Sequence, residues 1–132
     1  MKIQFKINAP LNTQEGIDVF KSSEINRPIE DIERIKAMLM NSNLIISAWK
    51  GLELIGIARS LTDFHYCCYL SDLAVKKEYQ KSGIGKSLIE LTQQTIGEQT
   101  MLLLLSAATA IEYYPKVGFE KVDNGFIIKR KS

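Results

Sequence analysis

Residues 78–87, EYQKSGIGKS, have the types and spacing best suited to holding an anion. The last three residues of this stretch match the end of the phosphate loop of nucleotide-hydrolysing proteins. That pattern requires a glycine where Gln80 stands, and the dinucleotide pattern Gly-x-Gly-x-x-Gly requires one where Leu88 stands. Both nucleotide patterns therefore fail. What remains is a glycine loop ahead of a predicted helix, which directs free backbone N–H groups and the positive end of a helix dipole towards a phosphate.

The elements that position this loop must come from a chain of 132 residues, which predicts a single domain over residues 1–132. Apolar residues make up 45% of the chain and charged residues 24%, which excludes the disordered class. The formal net charge is only +2 and the basic residues are spread along the chain, so nucleic acid is not predicted as a partner.

No membrane segment, signal peptide or metal site is predicted. The longest apolar run, residues 101–105, is too short to span a bilayer, and the N-terminus lacks the apolar core of a signal peptide, so the default location is the cytoplasm. Cys67 and Cys68 are adjacent in a predicted strand, where neighbours point to opposite faces. With His65 as the single histidine, a zinc site would need unusual ligands.

Hydrophobic periodicity predicts alternating strands and helices along the whole chain. Asn12, with Glu15 three places later, is typical of a capping box that opens the first helix. The predicted strands are residues 2–7, 44–50, 52–62, 66–75, 101–106, 119–122 and 126–130, and the further helices are residues 28–41, 84–96 and 107–114.

The order of these elements also predicts how the strands pair. The three strands between residues 44 and 75 form an antiparallel meander, and the helix at 84–96 is a crossover that makes strands 66–75 and 101–106 parallel neighbours. The run MLLLLS is apolar on both faces, which predicts a strand in the middle of the sheet. Asp123-Asn124-Gly125 predicts a hairpin turn between the last two strands.

Two motifs, spaced around a helix and an apolar strand, resemble those of the GCN5-related N-acetyltransferases (GNAT family). The matched positions are Gln80, Gly83 and Gly85 in the cofactor loop and Tyr113, Tyr114, Gly118 and Phe119 in the later aromatic motif. The resemblance extends over nearly the whole chain. It implies an α/β (α+β layered) GNAT fold, with a mixed, mostly antiparallel central sheet of about six to seven strands flanked by about four helices.

The resemblance also implies the site. Acetyl-CoA would be the cosubstrate, and no metal would be needed. The pantetheine arm of acetyl-CoA would pair with the edge of the strand at residues 73–75, where a backbone N–H near Val75 would polarise the thioester carbonyl. The pyrophosphate of acetyl-CoA would bind the glycine loop. The implied cofactor-binding residues are Leu73, Ala74, Val75, Gln80, Lys81, Ser82, Gly83, Ile84, Gly85 and Lys86.

Two side chains are implied to be catalytic. Tyr114 would protonate the leaving thiolate; its alternative role is only to pack at a helix end. Tyr113 would be the packing residue of the pair. Asp72 would accept the proton of the amine, although a structural role at a strand end, with a water chain as the base, is an equal alternative. Glu24 or Asp63 could favour a cationic amine, or could simply be solvated.

The resulting hypothesis is an enzyme that transfers an acetyl group from acetyl-CoA to a primary amine of a small molecule or peptide. Its alternative is a non-catalytic acetyl-CoA sensor or interaction module with the same fold. Homodimers are common in the family, so the resemblance also allows a homodimer.

Overall fold

The computed structural model describes residues 2–132. Its strands and helices follow the predicted order as far as residue 103. The strands are β1 (Gln4–Ile7), β2 (Leu44–Lys50), β3 (Glu53–Thr62), β4 (Cys67–Val75) and β5 (Met101–Leu103), and the helices are α1 (Thr13–Ser23), α2 (Ile32–Met40), α3 (Ile84–Ile96) and α4 (Tyr113–Lys116).

One sheet of five strands has the order β1-β2-β3-β4-β5. The first three pairings are antiparallel and the last, between β4 and β5, is parallel. The predicted meander and the crossover through α3 are thus confirmed, as is the α/β class. The mixed sheet arises because a helix separates β4 from β5, and a crossover returns the chain in the same direction.

Helices cover both faces of the sheet. On one face α1 and α2 pack around the fully buried Phe20 and Ile35, and on the other α3 packs through Leu88 and Ile89. The side chain of Asn12 accepts hydrogen bonds from the first backbone N–H groups of α1, as the capping pattern predicts. α2 begins later than predicted, because Asp31 caps it and residues 28–31 form a separate turn.

The strand β4 is irregular in its second half, which leads into the predicted cofactor loop. Its pairing with β3 joins Arg59 to Asp72 and Ser60 to Leu70, so Ser71 is the extra residue of a β-bulge. Its pairing with β5 covers only its first three residues and ends where Tyr69 meets Leu103. Residues 70–75, called here the open half of β4, therefore have no strand on the β5 side.

The strand count corrects the sequence prediction, since the sheet has five strands and not six to seven. Between residues 104 and 132 the structure contains no strand, so the predicted hairpin of 119–122 with 126–130 is wrong. A three-residue hairpin loop usually ends with a residue of positive φ, and Gly125, at that place in Asp123-Asn124-Gly125, does not have it. As a result β5 is a short edge strand and not a strand in the middle of the sheet.

The segment after β5 also differs from the predicted helix at 107–114. A 3₁₀ turn at Ala108–Ala110 is followed by the single turn of α4, which includes Pro115. Pro115 does not stop this helix because it lies in the first turn, where its missing N–H has no partner to lose.

A cleft of about 1140 Å³ lies beside β5, on the side where the predicted hairpin would have packed. It is bounded by the C-terminal half of α3, by β5 and by residues 118–122. Of the predicted site residues only Tyr114 lines it, so this cleft is not the predicted cofactor site.

The unpaired C-terminal segment gives a direct test of this architecture. Phe126 and Ile128 are 99% and 100% exposed, so replacing both by serine should change the free energy of unfolding by at most about 0.5 kcal/mol. Leu88→Ala, at a fully buried position, should cost about 2–5 kcal/mol. Urea denaturation measures both effects. A loss above about 2 kcal/mol in the double serine variant would mean that the segment packs as a hairpin after all.

Candidate active site

The open half of β4 offers backbone groups to a ligand. The N–H of Lys76 donates to the carbonyl oxygen of Ile55 on β3, and antiparallel pairing alternates, so the polar groups of Leu73 and Val75 face away from β3. Ala74 has the opposite orientation: its backbone faces β3, and its side chain packs in the core beneath α1. Of the three predicted strand positions, two therefore present backbone groups on the open edge.

The glycine loop, residues 80–85, is joined to the end of this strand. The side-chain amide of Gln80 donates to the carbonyl oxygen of Val75 at 2.9 Å. Lys81 and Gly83 have φ values of 64° and 85°, and this left-handed backbone turns the chain into α3. No side chain caps the N-terminus of α3, so its first N–H groups remain available to an anion.

A tyrosine hydroxyl closes one side of this loop. The Tyr113 Oη atom lies 3.2 Å from the point that a Cβ at Gly85 would occupy. A larger residue at position 85 would press on that hydroxyl, which would have to move by a few tenths of an ångström. Tyr113, predicted to be only a packing residue, thus contacts the predicted cofactor loop.

Tyr114 has a more enclosed position. Its ring packs edge-on between Tyr113 and Phe119, at centroid distances of 5.3 and 5.5 Å, and against the core beneath α3. Burial, and secondarily the charge of Tyr113, raise the pKa of Tyr114 above the ordinary value for tyrosine. The hydroxyl therefore keeps its proton through neutral pH.

Asp72 is fully buried and ion-paired with two arginines. Arg27 Nε donates to Asp72 Oδ1 at 2.5 Å, and Arg59 Nε donates to the other carboxylate oxygen. Because both oxygens already accept hydrogen bonds from charged donors, taking a proton from an amine would disrupt both contacts. This geometry favours the structural alternative for Asp72.

Other charged side chains considered from the sequence have local partners. Asp63 accepts backbone hydrogen bonds from His65, Tyr66 and Cys67, which lower its pKa to about 2 and stabilise the β3–β4 turn. Glu24 pairs with Lys77 at 3.3 Å on the surface. Within residues 2–132, no group of three or more potential ligands is clustered as a metal site, and no helix is long and apolar enough to cross a membrane.

The structure thus brings together the open half of β4, the glycine loop and the start of α4. Sequence reasoning missed the roles of Arg27 and the Tyr113 hydroxyl. An arginine in a polar loop is typical of a solvated side chain, and only the fold shows that it reaches a buried carboxylate.

Comparison with known proteins decides the family. The model of the acetyltransferase (GNAT) domain matches residues 8–129. The chain belongs to the GNAT acetyltransferase family. It is thus an acetyltransferase, and the resemblance inferred from the two motifs is confirmed.

Named GNAT relatives cover different shares of their own length. An uncharacterised N-acetyltransferase of Pyropia yezoensis is 27% identical, over 94% of this chain and 76% of that protein. A soybean (Glycine max) protein named as the histone acetyltransferase TAP1 is 30% identical, over 77% of this chain, which spans only 50% of that protein.

Solved GNAT structures share the fold at low identity. A probable acetyltransferase from meticillin-resistant Staphylococcus aureus has a TM-score of 0.82 and 20% identity, covering 98% of this chain and 100% of that one. An aminoglycoside N-acetyltransferase in complex with CoA has a TM-score of 0.74 and 13% identity, covering 99% and 96%.

The contact between Gly85 and Tyr113 in this GNAT chain can be tested by binding of CoA. Gly85→Ala should raise the Kd for CoA about tenfold, or about 1.4 kcal/mol, because the new methyl group crowds the Tyr113 hydroxyl and the loop. Adding Tyr113→Phe removes the crowded oxygen and should recover part of the affinity. Isothermal titration calorimetry measures all three proteins.

Gly125→Ala is the control, since nothing lies within 4 Å of a Cβ there and the φ of Gly125 is not positive. It should leave the Kd unchanged. If Tyr113→Phe recovers none of the affinity lost in Gly85→Ala, the hydroxyl is not the contact that requires glycine.

Proposed function

We propose that the protein transfers an acetyl group from acetyl-CoA to a primary amine of a small molecule or peptide, by direct attack through a tetrahedral intermediate. We further propose that residues 1–132 act as one catalytic domain in the cytoplasm. The observation that carries the proposal is the open half of β4 ending at a glycine loop and an uncapped helix N-terminus.

The loop suits the pyrophosphate of CoA in both shape and charge. The first N–H groups of α3 supply hydrogen-bond donors, and the helix dipole supplies a partial positive charge. Gly83 provides the left-handed turn, and Gly85 leaves room beside Tyr113. Lys86 is exposed, with Glu90 at 3.9 Å, and can approach a phosphate from solvent.

The strand edge suits the rest of the cosubstrate. The pantetheine arm contains two amides, and an extended chain beside a strand edge forms ladder hydrogen bonds. Leu73 offers a donor and an acceptor on the open edge. Val75 offers an N–H, while its carbonyl oxygen is bound to Gln80. In the proposed reaction the N–H near Val75 donates to the thioester oxygen, where negative charge develops.

The remaining steps are attack and proton transfer. The neutral amine forms a C–N bond to the acetyl carbon, the intermediate collapses with cleavage of the C–S bond, and the thiolate leaves with the electron pair. We propose that Tyr114 gives its proton to that thiolate, since its raised pKa keeps it protonated. The amine proton would pass to water, since both oxygens of Asp72 are engaged.

The test of the function is thiol release with a panel of amines. The panel should include lysine peptides, a histone tail peptide, simple diamines and an aminoglycoside. A thermal shift with CoA comes first, because CoA at a hundredfold excess over its Kd should add about 2.7 kcal/mol of stability. A CoA shift without thiol release for any amine would favour the sensor. The absence of any shift would reject both functions.

Tyr114→Phe tests the proposed acid. We expect kcat to fall about a hundredfold or more, since general acid catalysis contributes on that order, while the Kd for CoA stays near normal. Because the pKa of Tyr114 is raised, wild-type kcat should fall at high pH only above about 10, the ordinary tyrosine value. This decrease of kcat at high pH should be absent in Tyr114→Phe.

Tyr66→Phe is the matched control, because Tyr66 is 78% exposed and precedes β4, at the end of the strand opposite to the glycine loop. It should leave kcat and its pH dependence unchanged. A Tyr114→Phe protein with wild-type kcat would remove Tyr114 from the mechanism.

A further inference from the structure

The end of the chain, residues 126–132 and called here the tail, exposes apolar side chains that its own molecule leaves uncovered. Phe126 and Ile128 are 99% and 100% exposed, and Ile127 between them is 63% exposed. In an extended segment the first and third of these side chains lie on the same face. Large apolar residues that are exposed side by side are typical of an interaction surface, because their burial removes apolar area from water.

The tail ends beside α2, on the face of the sheet opposite to α3. Its one hydrogen bond to the remainder of residues 2–132 is long, at 3.5 Å from Arg34 Nη2 to the carbonyl oxygen of Ser132. The residues before the tail do not form a hairpin loop, since Gly125 lacks the positive φ that usually ends one. One copy of the chain therefore does not fold its own tail back onto β5.

The cleft beside β5 has room for such a segment. Residues 101–106, which include β5, lie on one side of it and residues 118–122 on the other, and no residue of the tail lines it within the described chain. Its lining includes side chains that are apolar and exposed, which are Met101, Leu105, Ile111 and Val122. The same molecule thus has an uncovered apolar segment and an uncovered apolar cleft.

The outer edge of β5 also offers backbone groups. The N–H of Met101 donates to the carbonyl oxygen of Tyr66, on the β4 side. Because backbone groups alternate in direction along a strand, those of Leu102 point to the edge away from β4, where no strand of residues 2–132 pairs with β5. A segment that adds to a sheet edge forms its main-chain hydrogen bonds with such groups.

The charges of the tail and the cleft are complementary. The tail contains three consecutive basic residues, Lys129, Arg130 and Lys131. The charged residues that line the cleft are three glutamates and one lysine, which are Glu90, Glu98, Glu120 and Lys121. An acidic lining favours an occupant that is both apolar and basic. Every copy of this chain carries an occupant of that kind.

We propose that residues 126–130 of one copy of the chain enter the cleft of a second copy and pair with the outer edge of β5, and that the second copy does the same in return. The product is a symmetric homodimer in which each five-stranded sheet gains a strand from its partner. Exchange of an identical segment is a route to dimers that requires little new surface. The proposal is independent of acetyl transfer, since the exchange is measured without turnover.

Sedimentation velocity tests the association. Wild-type protein should have the mass of two chains at a concentration on the order of 10 µM or above, and should dissociate on dilution. Replacing Phe126 and Ile128 by serine should raise the Kd for dimerisation about a hundredfold or more, because the exchanged apolar side chains lie at the centre of the contact. Wild-type protein that stays a monomer up to about 100 µM would overturn the proposal.

Leu105→Lys tests the receiving side, since Leu105 lines the cleft and is 62% exposed. The new charge would be costly to cover and would repel the basic residues of the tail, so the Kd for dimerisation should again rise about a hundredfold. Leu52→Lys is the matched control, at a position that is 94% exposed between β2 and β3, and it should leave the Kd unchanged. An equal rise in the control, or none in Leu105→Lys, would contradict the exchange.

A mixture of the two variants separates exchange from other kinds of dimer. In a mixed pair, the intact tail of Leu105→Lys meets the intact cleft of the double serine variant. A contact already lost through the tail is not lost again through the cleft, so the mixed pair should bind about tenfold more tightly than either variant binds itself. Native mass spectrometry with one variant isotope-labelled measures this. A mixed pair that is no tighter would mean that the tail does not enter the cleft.

Urea denaturation distinguishes exchange from folding of the tail within its own chain. The small effect expected for the double serine variant applies to one copy alone, and so it should hold at concentrations below the Kd for dimerisation. Above that Kd, wild-type protein should become more stable as its concentration rises, and the variant should not. A loss of stability in the variant that is the same at all protein concentrations would show packing within one chain, against the proposal.

Discussion

The site depends on the point at which β4 separates from β5. β4 stays paired with β3 to its last residue, but it leaves β5 after Tyr69, and the bulge at Ser71 increases the twist there. A strand edge with unpaired N–H and C=O groups is normally a liability that proteins cover. Here it is continued by the glycine loop and α3, so the unpaired groups and the positive end of a helix dipole lie next to each other in sequence and in space.

A buried carboxylate stabilises this irregular strand from the helical side. A fully buried charge is costly unless it is paired, and Asp72 has two charged donors, one of them on a segment outside the sheet. Removing one partner of such a pair generally costs about 3–5 kcal/mol, because a buried charge is left behind. The ion pairs thus oppose both unfolding and any displacement of residues 24–31. This local rigidity is useful beside a strand edge that has lost its neighbouring strand.

Local sequence patterns predicted the parts of the fold that depend on local rules. The periodicity of α3, the N-cap at Asn12 and the crossover to β5 each follow from residues that are neighbours in the chain. The hairpin prediction failed because Asp-Asn-Gly permits a tight turn without requiring one, and strand pairing depends on contacts distant in sequence. The Asp72 ion pairs join residues 13 and 45 positions apart, and no spacing rule connects them. Sequence could therefore place Asp72 at the site but could not distinguish a base from a structural carboxylate.

Two side chains from outside the sheet bind the open half of β4. Arg27 takes the carbonyl oxygen of Ser71 and Gln80 takes that of Val75, so side chains occupy an acceptor at each end of the open half. The N–H groups of Leu73 and Val75 are not engaged by these side chains, and donors are what a thioester oxygen and an amide carbonyl require. Arg27 holds residues 24–31 against the strand, and Gln80 holds the loop that we propose to bind the pyrophosphate. Both side chains thus bind the stretch of backbone that carries the N–H of Val75, the donor proposed for the thioester oxygen.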